Sequence, residues 1–164
     1  MSFKTDFLKE FAQEMTATRR VLERVPSEKG EWKPHAKSFP IGHLAQLLAG
    51  MPGWSTQVAD GRNLDLTKGT GYTYEPTDKL LAVFDKNVAE ATAAVARTSD
   101  EDLDKDWSLT MGDRVLMTLP RREVLRQNMS HLSHHRGQMS VYLRLLDIPV
   151  PAIYGPSADD RGGF

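Results

Sequence analysis

Four segments of this 164-residue chain carry apolar residues at steps of three and four positions, the spacing of one face of an α-helix. The second runs from about 39 to 58, the third from Thr77 to the segment RTSDEDL, and the fourth from Arg121 to about Leu146. Four such helices predict an all-α fold, a four-helix bundle in which the apolar faces meet. The first segment shows the pattern most plainly, with a face of Phe3, Phe7, Phe11, Met15, Thr18, Leu22 and Val25.

The connections between these helices refine the prediction. Each is roughly a dozen residues or more, longer than simple antiparallel neighbours need, so these lengths allow a crossover topology without requiring one. Before the last helix, DWSLTMGDRVLMTLP places β-favouring residues on both sides of Met-Gly-Asp, which indicates a short β-hairpin. Pro52 and Gly53 predict a kink or break in the second helix. Ser38 and Thr77 are expected to cap the second and third helices.

Charge and composition exclude several classes of partner. The chain has 21 Lys and Arg against 22 Asp and Glu, so it lacks the positive field that would attract nucleic acids or anionic membranes. It has no apolar run of about 18 residues, and its N-terminus MSFKTDFLKEFAQEM is amphipathic, unlike a signal peptide. Residues 1–164 are therefore expected to form one cytoplasmic domain. Because cysteine is absent, thiol chemistry would require a thiol from a substrate.

The stretch HLSHHRGQMSVYLRLL places three histidines on the last helix. Residues four apart share a helix face, so His131 and His135 lie together, whereas His134 is turned about 100° from His135. Burying polar side chains without partners costs about 1–3 kcal/mol each, so a bundle interior would retain them only to bind something. A divalent metal ion is the simplest explanation for histidines on an inward-facing strip. The same strip of the helix also contains Val124, Asn128, Gln138 and Tyr142.

A third ligand is required, because catalytic metal sites typically have three protein ligands and an open position. The candidates are His43 and His35. His43 shares a face of the second helix with Trp54, and this face is expected to point inward, whereas His35 lies in a loop. We therefore choose His43 as the third ligand, with His35 and His134 structural or exposed. Three imidazoles suit zinc, nickel, copper and cobalt alike.

Other residues near the histidines have more ordinary expected roles. Arg136 is expected at the surface or in a salt bridge, and Trp54 and Tyr142 in the core. Gln138 is a candidate hydrogen-bond partner for a histidine ring, with a backbone partner as the alternative. Leu132 follows the first histidine where the zinc-protease signature has glutamate, so HLSHH is not an HExxH site and peptidase activity is disfavoured.

Several sequence blocks together resemble one known family. In order, EWKPHAKS precedes GHLAQLL, and these are followed by MPGW, LPRREVL, HLSHHRGQMSVYLRLL and IPVPAIYGPSADD. Over almost the whole chain they resemble the DinB-like (DinB/YfiT-related) proteins. The resemblance implies a four-helix bundle with crossover topology and a divalent ion, zinc or nickel, bound by His43, His131 and His135. It also implies a homodimer, which the apolar residues Leu125, Leu132, Met139 and Leu143 of the last helix favour as well.

What the resemblance implies about activity is less specific, because many such proteins have no assigned reaction and some are S-transferases that use low-molecular-weight thiols. We expect a metal-dependent enzyme that activates a bound thiol or water against a small electrophile, as an S-transferase or hydrolase. No catalytic acid or base is assigned, and no organic cofactor is expected. The alternative is a non-catalytic metal-binding stress-response protein, and a third interpretation is a structural bundle whose histidines contact only water.

Overall fold

The computed structural model describes residues 3–69 and 71–162. None of the helices in these ranges is long and apolar enough to cross a membrane. Single turns of 3-10 helix occur at Ser27–Lys29 and Leu66–Lys68. The α-helices are α1 (Phe3–Leu22), α2 (Ile41–Ala59), α3 (Thr77–Arg97), the short α4 (Asp100–Leu103) and α5 (Arg121–Leu145).

The four long helices pack around one apolar core. α2 packs against α3 and α5, and α1 packs against the same two helices. Each helix contributes side chains that are no more than 2% exposed, such as Phe7 of α1, Leu48 of α2, Phe84 of α3 and Met139 of α5. The helical part of the fold prediction is confirmed, whereas the crossover topology stays a prediction.

A small sheet lies beside the bundle. β2 (Asp106–Met111) and β3 (Arg114–Pro120) form the expected antiparallel hairpin, which turns at Gly112 with a φ of 59°. β1 (Leu64–Asp65) pairs in parallel with β2. The all-α prediction is therefore incomplete, because β1 lies in a segment that reads as a polar connection. A strand of two residues is too short to show alternating hydrophobicity, so nothing in its local pattern reveals it.

The second helix differs from the prediction at Pro52. α2 runs without interruption from Ile41 to Ala59, so the predicted break is wrong. Pro52 is buried and leaves the Leu48 carbonyl without its usual helical donor, and Asn87 of α3 donates a hydrogen bond to the adjacent Ala49 carbonyl oxygen at 2.9 Å. Packing between α3 and α5 thus holds α2 helical past a residue that lacks a backbone donor.

The predicted helix caps are also wrong. Ser38 lies before the N-cap residue of α2, Pro40, which has no side chain that could accept a capping hydrogen bond. Thr77 is the first residue of α3, and its hydroxyl donates to the Val25 carbonyl oxygen at 2.7 Å. That hydrogen bond joins the start of α3 to the loop after α1, so the hydroxyl is used in tertiary packing.

The apolar residues that favoured dimerisation lie inside the chain. They are between 0 and 2% exposed, so they belong to the core and offer no surface to a second copy. The apolar face of α5 is wide because this helix packs against α1, α2 and the sheet. The homodimer stays a prediction that the resemblance alone supports. These residues are Leu125, Leu132, Met139 and Leu143.

Candidate functional site

His131 and His135 form a direct pair one turn apart on α5. Their Nε2 atoms lie 2.9 Å apart, and their ring centroids lie 4.6 Å apart. His135 is buried, at 9% exposure, whereas His131 is exposed beside a pocket. The two rings meet as the helical spacing predicts.

Gln138 determines which nitrogen of His135 is protonated. The Nδ1 atom of His135 lies 2.8 Å from the Oε1 atom of Gln138, which can only accept, so neutral His135 carries its proton on Nδ1 and donates it. Its Nε2 atom then keeps a free lone pair and accepts a hydrogen bond from the Nε2–H group of His131. Metal-binding histidines are commonly oriented by such a hydrogen bond from the ring nitrogen that does not bind metal.

The geometry of the pair suits two ligands of one ion. With metal–nitrogen bonds of about 2.0–2.1 Å, two imidazole nitrogens on one ion are about 3.0 Å apart at a right angle and about 3.4 Å apart at a tetrahedral angle. The 2.9 Å between the Nε2 atoms of His131 and His135 is close to the shorter of these separations. On binding, neutral His131 would change tautomer, so that its proton is carried on Nδ1 and its Nε2 lone pair is free for the ion.

His43 lies apart from this pair. Its half-buried ring contacts Phe39, with centroids 4.3 Å apart, and stacks on Tyr72 at 4.8 Å and an interplanar angle of 12°. Among residues 3–69 and 71–162, no group of three or more His, Cys, Asp or Glu side chains is arranged to hold a metal ion. The structure thus brings two of the three predicted ligands together and leaves His43 in a neighbouring cleft.

Trp54 lies between His43 and the pair. It lines, with His43, a cleft of about 480 Å³ bounded by α2, α3 and residues 71–75. Its ring centroid is also 5.9 Å from that of His131. The predicted common face of His43 and Trp54 is present and borders a cleft. Both side chains are half-buried, and Trp54 also packs against the edge of the apolar core, as expected.

The surroundings of His43 and His131 favour the neutral form of both imidazoles. Burial lowers the pKa of His43 below its usual 6.5. Burial, together with the positive charge that His135 and His134 would carry, also lowers the pKa of His131. The neutral form is the one that binds a metal ion, so both rings are ready for binding near neutral pH.

A second pocket, which we name the apolar pocket, lies between the sheet, α2 and the start of α5. It has a volume of about 410 Å³, and His131 and Asn128 are among its polar lining residues. Sequence reasoning missed it because strands supply much of its wall, although Trp107 in the hairpin pattern was an available signal. The apolar side chains around it include Val58, Leu64, Leu66, Trp107, Leu109 and Met117.

The remaining predictions near the histidines had mixed outcomes. Arg136 is only 1% exposed and forms an ion pair, so the surface alternative is wrong and the salt-bridge alternative is confirmed. Tyr142 is half-buried, and its hydroxyl donates to the Phe39 carbonyl oxygen at 3.2 Å, at the edge of the core. His134 and His35 are exposed, as expected.

The fold and site together define a class of protein, a bundle of long helices with a small sheet and a histidine pair on the last helix. The model of the DinB family matches residues 1–161. The chain belongs to the DinB family.

Individual relatives agree with this assignment. The uncharacterized protein YrdA of Bacillus subtilis (strain 168) is 25% identical over 164 residues, covering 96% of this chain and 92% of YrdA. A DinB-like protein from Bacillus cereus ATCC 10987 has a similar crystal structure, with a TM-score of 0.73 and 19% identity over 90% of this chain and 95% of that one. A mutant of the mycothiol-dependent maleylpyruvate isomerase has a TM-score of 0.63 and 14% identity, covering 85% of this chain and 63% of that one. These structural likenesses show a shared fold.

Proposed function

We propose that this protein is a metal-dependent enzyme that activates a small thiol or a water molecule against an electrophilic substrate. Its ligands would be His43, His131 and His135, and its ion zinc or nickel. The observation that carries the proposal is the 2.9 Å contact between the Nε2 atoms of His131 and His135, with His135 oriented by Gln138. When bound, the ion would supply the positive charge that lowers the pKa of a thiol or water.

The chain's own residues would bind and orient. Gln138 accepts a hydrogen bond from the Nδ1–H group of His135, which leaves the Nε2 lone pair of His135 free to bind the ion. His43 would supply the third nitrogen from α2, and its stacking on Tyr72 would change when it does so. Trp54 borders both the cleft that contains His43 and the apolar pocket that contains His131, so its indole would limit the access of water to the ion.

A thiol as the activated group is supported by the name of one protein of similar fold. The isomerase with a similar fold is mycothiol-dependent by name. The chain also contains no cysteine, so any thiol must come from a second substrate. With a thiol the enzyme would be an S-transferase, and with water alone a hydrolase.

The test begins with untagged protein, whose metal content is measured by elemental analysis before and after loading with zinc, nickel, cobalt or manganese. Each form is then assayed with several small thiols against a fluorogenic electrophile, alongside simple ester and amide substrates. We expect near-stoichiometric metal and a thiol-dependent rate. His131→Ala and His135→Ala should lose both metal and rate, since each removes a ligand.

Two other histidines provide matched controls. His134→Ala changes a neighbour on α5, and His35→Ala changes an exposed loop residue whose Nδ1 atom accepts a hydrogen bond from the Lys37 backbone N–H at 3.1 Å. Both variants should keep wild-type metal content. Normal metal binding by His131→Ala would contradict the site. Tight metal binding without turnover across the panel would favour the non-catalytic metal-binding stress-response protein.

A further inference from the structure

The apolar pocket has the size and wall of a small-molecule site. Its volume of about 410 Å³ lies within the range of about 300–1,000 Å³ that is typical of ligand pockets. Val58, Trp107 and Val124 form its closed side and are no more than 4% exposed, whereas Leu66, at 46%, lies near solvent. The indole of Trp107 is fixed by its Nε1–H group, which donates to the Arg62 carbonyl oxygen at 2.7 Å.

No charged side chain lines this pocket among the residues that the structure describes. The charged residues Asp65 and Lys68 belong to an adjacent cleft on the other side of Leu64 and Leu66. The Oδ1 atom of Asp65 accepts hydrogen bonds from the backbone N–H groups of Thr67 and Gly112, each at 3.0 Å. This carboxylate is therefore already used to stabilise two loops. In the metal-free protein, a charged ligand in the apolar pocket would therefore lose its hydration without gaining an opposite charge.

The polar groups of the pocket lie together on α5. Asn128 and His131 are neighbours on one helix face, and both line the pocket. The Nδ2 atom of Asn128 is buried and has no hydrogen-bond partner within the described residues. Once its carboxamide turns toward the pocket, this unused donor can satisfy one acceptor atom of a ligand.

We propose that the apolar pocket binds the uncharged, apolar part of the substrate, an aryl or branched alkyl group, with a carbonyl-type acceptor directed toward Asn128, beside His131. The assignment of this molecule as substrate depends on the proposed function, because His131 is one of the proposed metal ligands. The cleft that contains His43 differs in character, since Gln46, Thr73 and Glu75 line it. The two clefts meet at Trp54, so an apolar electrophile and a more polar second reactant would approach from different sides.

The test measures binding and not turnover. Methyl cinnamate and the cinnamate anion share one skeleton and differ in charge, and saturation-transfer NMR with titration gives their affinities for the metal-free full-length protein at neutral pH. We expect the ester to bind and the anion to bind at least about tenfold more weakly, because the pocket offers the carboxylate no opposite charge. Met117→Glu should weaken ester binding by about tenfold or more, because it places a charge in the wall.

The adjacent substitution Leu116→Glu is the matched control, because Leu116 is on the same strand, is 40% exposed and does not line the pocket. It should leave ester binding unchanged. If Met117→Glu fails to fold, Leu66→Glu at the exposed rim replaces it and should weaken binding in the same direction. Equal affinity for ester and anion, or equal binding by the pocket and control variants, would overturn the proposal.

This experiment also separates the inference from the proposed function. His43→Ala removes a proposed metal ligand that lines the other cleft, so it should retain selective ester binding in the metal-free protein while it loses metal. Selective ester binding with no turnover in any metal form would overturn the proposed enzyme and leave the ligand preference of the pocket standing. Turnover without selective ester binding would overturn the pocket assignment alone.

Discussion

The guanidinium of Arg136 lies 2.7 Å from the carboxylate of Glu14, in an ion pair that joins the last helix to the first inside the bundle. The Arg136 side chain is 2% exposed, and that of Glu14 is 14% exposed. The Nη1 atom of Arg136 also donates to the Glu14 carbonyl oxygen at 3.0 Å and to the Thr18 hydroxyl at 3.2 Å. The Tyr154 hydroxyl contacts the guanidinium and donates to the Glu14 carboxylate at 2.9 Å. The segment after α5 is thereby joined to the ion pair.

Removing Arg136 should therefore destabilise the fold strongly. Arg136→Ala leaves the Glu14 carboxylate enclosed without its partner, and we expect a loss of about 3–5 kcal/mol in the free energy of unfolding, measured by urea denaturation. Arg126→Ala is the control, because Arg126 pairs with Glu10 between the same two helices at 3.6 Å but is 55% exposed. It should cost about 1 kcal/mol or less. Equal losses in the two variants would show that burial of the pair is unimportant.

Two glycines of α2 should respond in opposite directions to alanine. A Cβ atom on Gly42 would lie 2.7 Å from the Tyr72 hydroxyl oxygen and 3.0 Å from the backbone oxygen of Gly30, which cannot easily move. A Cβ atom on Gly50 would meet nothing within 4 Å. Gly42→Ala should lower the melting temperature, whereas Gly50→Ala should raise stability by about 0.5–1 kcal/mol through helix propensity. Thermal unfolding checks both, and a stabilised Gly42→Ala would contradict the close approach of Tyr72 and Gly30.

Acid should destabilise the metal-free protein through His43 and His131. Their folded pKa values lie below the usual 6.5, so between the two values the unfolded chain binds more protons than the folded one. The contribution to stability is complete above 6.5 and is lost as the pH falls through the lowered folded pKa values. Urea unfolding across this range measures it.

Variants test whether these two imidazoles carry the pH dependence. The double variant His43→Gln, His131→Gln should show a shallower fall in unfolding free energy between neutral pH and about pH 5.5. His134→Gln, which changes an exposed neighbour, should keep the wild-type slope. An unchanged slope in the double variant would assign the acid sensitivity to other groups.

Dimerisation remains a prediction, and α5 offers a place to test it. Val141 and Leu145 lie one turn apart and are 56% and 57% exposed. If they meet a second copy, light scattering at micromolar concentration should show a dimer. Val141→Glu combined with Leu145→Glu should give a folded monomer, as judged by circular dichroism. A wild-type monomer across this range would contradict the homodimer.

Local sequence patterns were sufficient for features that depend on one helix or one turn. The apolar spacing predicted the four long helices, and Met-Gly-Asp between β-favouring residues predicted the hairpin that turns at Gly112. The same reasoning placed His131 and His135 together, because residues four apart on a helix are neighbours whatever surrounds them. Gln138 was also within reach of this argument, three residues from His135.

Only the tertiary structure decided the features that depend on residues far apart in sequence. Helical spacing gives the face on which His43 lies but not what meets that face, and the structure places Phe39 and Tyr72 against it. The apolar pocket, the burial of Arg136 and the unbroken course of α2 through Pro52 likewise arise where separate segments pack. Periodicity specifies the direction of a side chain relative to its own backbone, whereas its partners are selected when whole elements bury their apolar surface against one another.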